Sequence, residues 1–152
     1  MNAPISGRLK LVFLIHAIVG VILGLGYLFI PVTMGGWFGL TLEGTVFEHL
    51  VGVAILSLGL SSALAYFQTR FESVKLLVQL EIIWTLLATI LLVWGALNID
   101  QFPNMIAGEV STAQLWVWVD TVIMGLFFLA FAGCYLFDEK TETSRSYAGS
   151  EA

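Results

Sequence analysis

Only 11% of the 152 residues are charged, and Lys and Arg together number 6. Soluble domains carry about 25% charged residues, so a water-facing surface of ordinary composition is excluded. The 6 cations stand against 11 acids, with net charge −5 and pI about 4.8, which excludes the basic face a nucleic-acid partner requires. Cys134 is the single cysteine, so no intrachain disulfide exists and the redox compartment cannot be read from thiols. No Asn-x-Ser/Thr acceptor occurs. Prolines number 3, namely Pro4, Pro31 and Pro103, and none falls inside a long apolar run. Histidines number 2, and no Glu-x-x-His pair is present to build a carboxylate-bridged di-metal bundle. No metal set and no cofactor follow from this inventory.

What is abundant is apolar surface: 59% of the chain is hydrophobic and the mean hydropathy is +0.94. A fold of this size has no interior large enough to hide it, so lipid must be the solvent for most of the chain. Four runs are long enough to cross about 30 Å of hydrocarbon at about 1.5 Å per residue: residues 11–30, 46–67, 76–97 and 113–137. The first follows a polar head bearing Arg8 and Lys10. It is too long for a secretory signal core and lacks an A-x-A site, so it reads as a retained helix. Pro31 stops it. The next linker carries Gly35, Gly36, Gly39 and Gly44 with Trp37, Phe38, Leu40 and Leu42, a composition suited to a short helix or turn in the membrane interface with Trp37 at headgroup level. Thr45 and Glu48 have capping-box spacing at the head of the second span. The second polar linker holds Pro103 and Gly108, and Ser111 or Thr112 is the expected N-cap of the fourth span. The tail, residues 138–152, is polar and is expected to be mobile.

Basic residues orient the chain. Arg8 and Lys10 precede the first span, Arg70 and Lys75 lie between the second and third, and Lys140 and Arg145 follow the fourth. The other two linkers contain none. Four crossings place all six on one side, which the positive-inside rule makes cytoplasmic. The expectation is an all-α, integral membrane, antiparallel up-and-down four-helix bundle with both termini inside and one domain over the whole chain. Aromatic residues agree: Tyr27, Trp37, Trp94, Trp116 and Trp118 fall near the outer face, Tyr66 and Tyr135 near the inner one.

Five ionisable residues lie in or at the mouth of the spans. His16 lies six positions beyond Lys10, and Glu81 six beyond Lys75. Both sit ~9 Å inside the inner boundary, so they meet if their helices touch, with Thr85 one turn above Glu81. Glu48 and His49 stand at the outer mouth of the second span, and Asp120 lies ~10 Å down the fourth, within reach of His49 and beside Thr121. These residues read either as a polar path offering proton or ligand sites, or as two clamps that hold helices together at ~0.6 kcal/mol per bond. The two histidines lie roughly 15 Å apart along the normal of a ~30 Å core, which excludes a bis-histidine haem. Glu48 and His49 also fit plain interface residues.

Small residues mark packing faces. Gly20 and Gly24 form a G-x-x-x-G that serves packing within the bundle or a homo-oligomer contact. On the second span one stripe is Ala54, Ser57, Ser61 and Ala65, and another is Gly52, Gly59 and Ala63. Phe127, Phe128 and Phe131 read as lipid-facing or core packing. Cys134 reads as a buried thiol before an acylation site.

Several of these features together resemble the DoxX-like group of small four-helix bacterial membrane proteins: the stop at Pro31, the Phe38-Gly39-Leu40 turn, Gly52 and Gly59-Leu60, and the short basic turn into the third span. The resemblance runs from Gly20 to Leu97. It implies the four-helix topology and redox-linked or quinone-associated roles, and the expected location is the cytoplasmic membrane of a prokaryote. No functional residue carries over from it. The expected function is that of a non-enzymatic polytopic membrane protein, an accessory subunit or a small self-standing bundle. The alternative is a binding or transport module for a lipophilic ligand such as a quinone, or a proton-relay element, built on the intramembrane carboxylates. The lipid bilayer is the expected surrounding, with a homo-oligomer or a larger membrane complex as the partner the small-residue faces would serve.

Overall fold

In the computed structural model of the chain, residues 4–101, 106 and 110–150 are described, with side-chain surroundings as far as residue 141. Pro103 and Gly108 of the second linker lie outside the described residues. Five α-helices follow one another: α1 Gly7–Phe29, α2 Pro31–Trp37, α3 Val46–Tyr66, α4 Lys75–Leu97 and α5 Val110–Ser150. Four of them, all but α2, are long and apolar enough to cross a membrane. Spanning lipid requires every backbone polar group to be paired within the segment, which helices do.

The boundaries differ from the hydropathy runs for local reasons. α1 begins at Gly7 because the Ser6 side chain caps it, accepting from Leu9 N at 3.2 Å, so Arg8 and Lys10 ride on its first turns. Pro31, which ends α1, is also the first residue of α2, where its missing N–H costs nothing. Thr45 is the N-cap of α3, its carbonyl accepting from His49 N, but its side chain does not bond the α3 backbone. Its hydroxyl donates instead to the Glu48 carboxylate, so half of the expected capping box is replaced by a side-chain pair. Ser111 and Thr112 fall inside the first turn of α5 rather than before it. That helix also does not end near residue 137. It runs on to Ser150, because no Gly or Pro interrupts residues 138–148 and polar residues alone do not break a helix.

The packing is inverted relative to a soluble bundle. Leu and Ile side chains such as Ile22 (64% exposed), Leu87 (59%) and Leu129 (64%) face outward, while His16, Ser62, Glu81 and Thr85 are buried. Glycines let α1 and α3 meet backbone to backbone. A Cβ at Gly24 would stand 2.5 Å from Leu56 N, one at Gly52 2.4 Å from Leu28 N, and one at Gly20 2.8 Å from Gly59 Cα. The G-x-x-x-G on α1 is therefore used inside the bundle. The Gly52/Gly59 stripe faces α1, whereas Ala54 and Ser57 of the other stripe are exposed and only Ala65 is buried. α4 packs chiefly on α5, and the two hairpins are joined through α1–α5 aromatic contacts (Phe13 to Phe131, 5.6 Å between ring centres).

The two ends are sorted by charge. Pro4 bridges to Arg70, Ser6 N donates to Asp138 Oδ2 (3.3 Å), Lys75 pairs with Glu72 (3.6 Å) and Glu139 (3.4 Å), Arg8 lies over Phe137 and Lys10 over Tyr66. All of this is one end, here termed the basic end. Leu40 bridges to Ile106 at the opposite end, which carries no Lys or Arg. The core cluster (Ile5, Leu9, Phe13, Ala65, Phe71, Val74, Val78, Phe127, Phe131) fills the basic half. A multi-pass membrane protein is what this inside-out bundle defines.

Candidate functional site

At the basic end, three helices contribute one polar residue each. His16 Nδ1 is 2.8 Å from Ser62 Oγ, and Ser62 Oγ donates to Glu81 Oε1 at 3.2 Å. A hydroxyl has one proton to give, so His16 must supply the N–H at Nδ1. His16 Nδ1 and Glu81 Oε1 are themselves 3.6 Å apart. The meeting of His16 and Glu81 expected from equal depth is thus present, bridged by a serine that depth counting had not included. Ser62 stands five positions before Phe67, the residue that closes α3, so the same ruler would have found it. Thr85 does not touch the carboxylate. Its hydroxyl donates to the Glu81 backbone carbonyl at 2.6 Å.

The trio is sealed. Ser62, Glu81 and Thr85 have no exposed surface, and His16 has 6%. Phe127 and Phe131 set their rings edge-on to the imidazole, with centroids at 4.9 and 5.5 Å. Glu81 Oε2 is buried without a hydrogen-bond partner among the described residues. Phe127 and Phe131 are core residues, while Phe128 is half-buried. Cys134, also half-buried, packs against the same core. Hydrogen bonds from three helices converge in it, so the trio ties α1, α3 and α4 together.

The opposite end is built differently. His49 does not reach towards Asp120: its Nδ1–H donates to the Leu28 carbonyl, 2.7 Å away. One of the last carbonyls of α1 would otherwise lack a partner, so His49 fastens the start of α3 to the end of α1. Thr121 likewise turns to its own helix, donating to Val117 O at 2.7 Å. Asp120 accepts no hydrogen bond from the described residues. It lines a cavity of about 420 Å³ with Leu23, Tyr27, Phe38, Val51, Leu92 and neighbouring apolar groups, and Glu48 stands on the same wall. Asp120 lies within electrostatic range of the Tyr27 phenol. Trp116 packs edge-on to Phe38 at 5.3 Å, which steadies one side of the cavity.

The structure therefore brings together His16 and Glu81, and separately Glu48 and Asp120. It does not link the two sets. Asp120 and Phe127 are two turns apart on α5, roughly 10 Å, and the phenylalanine layer lies between. Among the described residues no hydrogen bond joins the two sets into a continuous polar path. Tyr27 is the pocket residue that sequence reasoning assigned only to the interface. Among the described residues no three His, Cys, Asp or Glu side chains come close enough to share a metal ion. Comparison with protein-family models, with curated proteins and with solved structures gave no match.

Proposed function

We propose that this chain is a non-enzymatic membrane protein of the cytoplasmic membrane of a prokaryote, with its basic end in the cytosol, and that the cavity at Asp120 holds a lipophilic molecule bearing a polar head. One observation carries the reading: a half-buried carboxylate without a hydrogen-bond partner among the described residues, set in the wall of an apolar cavity. A carboxylate in a membrane costs at least ~2.5 kcal/mol, and among the described residues no donor offsets that cost, in contrast to Glu81. The volume falls in the ~300–1,000 Å³ range of small-molecule sites. Quinones, which the DoxX-like resemblance suggests, are one member of the lipophilic class. The test is ligand retention: protein extracted in mild detergent should carry a co-purifying lipophilic compound that Val51→Trp, which fills the cavity, expels. Identical lipid extracts from both proteins would refute the reading.

The orientation has its own test in a Cys134→Ala background. Gly36→Cys, at a position with open space around it, should react with an impermeant maleimide from outside intact cells, and Ser73→Cys only after lysis. Equal reactivity from one side would overturn the arrangement. A second reading, an accessory subunit, draws on Ala54 and Ser57, small residues that α3 turns outward and the bundle leaves unused. A stable assembly lost on Ser57→Leu but not on Leu60→Ala would support it.

A further inference from the structure

We infer that the cavity at Asp120 selects a lipophilic cation, an amine or quaternary ammonium with an apolar body, over neutral or anionic molecules of the same size. The inference rests on the binding reading above and adds the charge of the ligand. Among the described residues the polar groups on the cavity wall are Asp120, Glu48 and Tyr27, with no Lys, Arg or His. Among the described residues no salt bridge to Asp120 or Glu48 is formed from elsewhere in the bundle either. Arg8, Lys10, Arg70 and Lys75 are tied to the basic end, and His49 is committed to the Leu28 carbonyl.

The wider surroundings have the same sign. Glu43, Glu48, Asp100 and Asp120 belong to the end without Lys or Arg. An acidic mouth above a low-dielectric cavity raises the local concentration of cations and lowers that of anions. Inside, Tyr27 and Phe38 present aromatic rings to the same space, and ring faces attract cations but not carboxylates. An ammonium headgroup would satisfy the Asp120 carboxylate, which takes no hydrogen bond from the described residues. A quinone carbonyl, an acceptor only, would meet two carboxylates and a single phenol.

The experiment uses the full chain in nanodiscs of zwitterionic phosphatidylcholine, so that the lipid adds no charge preference. Three dansylated twelve-carbon probes are titrated: a primary ammonium, the matching alcohol and the matching carboxylate, with empty nanodiscs as background. The expected result is saturable ammonium binding about tenfold or more tighter than the alcohol, the equivalent of one charge-assisted hydrogen bond, with the carboxylate weakest. Tetraphenylphosphonium should compete. Asp120→Asn, a near-isosteric change checked by circular dichroism, should reduce the ammonium preference to about threefold or less. If the three probes bind saturably and equally, and Val51→Trp blocks them all, the cavity reading stands and the cationic inference falls. If no probe binds above background, both fail. An ammonium preference unchanged in Asp120→Asn overturns the assignment of the headgroup to that residue.

Discussion

Glu81 and Asp120 are both carboxylates set about a third of the way into an apolar helix, and the protein surrounds them in opposite ways. Glu81 is fully enclosed, takes a hydroxyl from Ser62 and has His16 at 3.6 Å, whose imidazole is held edge-on by Phe127 and Phe131. Asp120 is half-exposed, takes no hydrogen bond from the described residues and faces a cavity. The basic half of the bundle has a continuous aromatic and aliphatic core, and its neighbour at the other end has a hollow. An intramembrane acid can thus serve as a fastener where its partners come from the protein, or be left available where they do not. Burial alone does not separate the two cases. The supply of donors does.

Four substitutions would break or sharpen that contrast, each read as a change in resistance to SDS-induced unfolding in mixed micelles. The largest loss is expected from Gly24→Val on the α1–α3 seam. Its first added atom would meet Leu56 backbone at 2.5 Å, and since backbone cannot move aside, the helices must part at about 3 kcal/mol or more. A smaller loss, about 1–2 kcal/mol, should follow Ser62→Ala, which removes two membrane-interior hydrogen bonds at once. Lys75→Ala breaks exposed pairs with Glu72 and Glu139 and should cost about 0.2–1 kcal/mol, less at high salt. Asp120→Asn should stay within about 0.5 kcal/mol of the parent, as at sites outside any packed or bonded network. The decisive comparison is the second against the fourth. If Asp120→Asn destabilises as much as Ser62→Ala, the two ends are both fasteners and the cavity is incidental.

Much of this was legible in the residues. The number of spanning helices followed from four long apolar runs, and the matching depth of His16 and Glu81 followed from counting about 1.5 Å per residue from Lys10 and Lys75, though not that their helices would bring them together. Other points were not. His49 bonds a backbone carbonyl, an acceptor that every residue carries, so no side-chain pattern marks it. The helical continuation of α5 past Phe137 was hidden by a composition that also suits a mobile tail. Of the two small-residue stripes on α3, equal by spacing, only that of Gly52 and Gly59 faces α1, because two opposed glycine backbones approach closer than alanine and serine allow.

Composition and charge placement by themselves determined that the chain lies in lipid as four helices with every cation at one end, because hydrocarbon tolerates only self-paired backbone and repels unpaired charge. Which carboxylate would be enclosed and which would face a hollow was decided by tertiary structure alone. That outcome depends on where the glycine seam lets α1 and α3 close and where phenylalanines from α5 fill the remaining space, and neither is a property of any one helix.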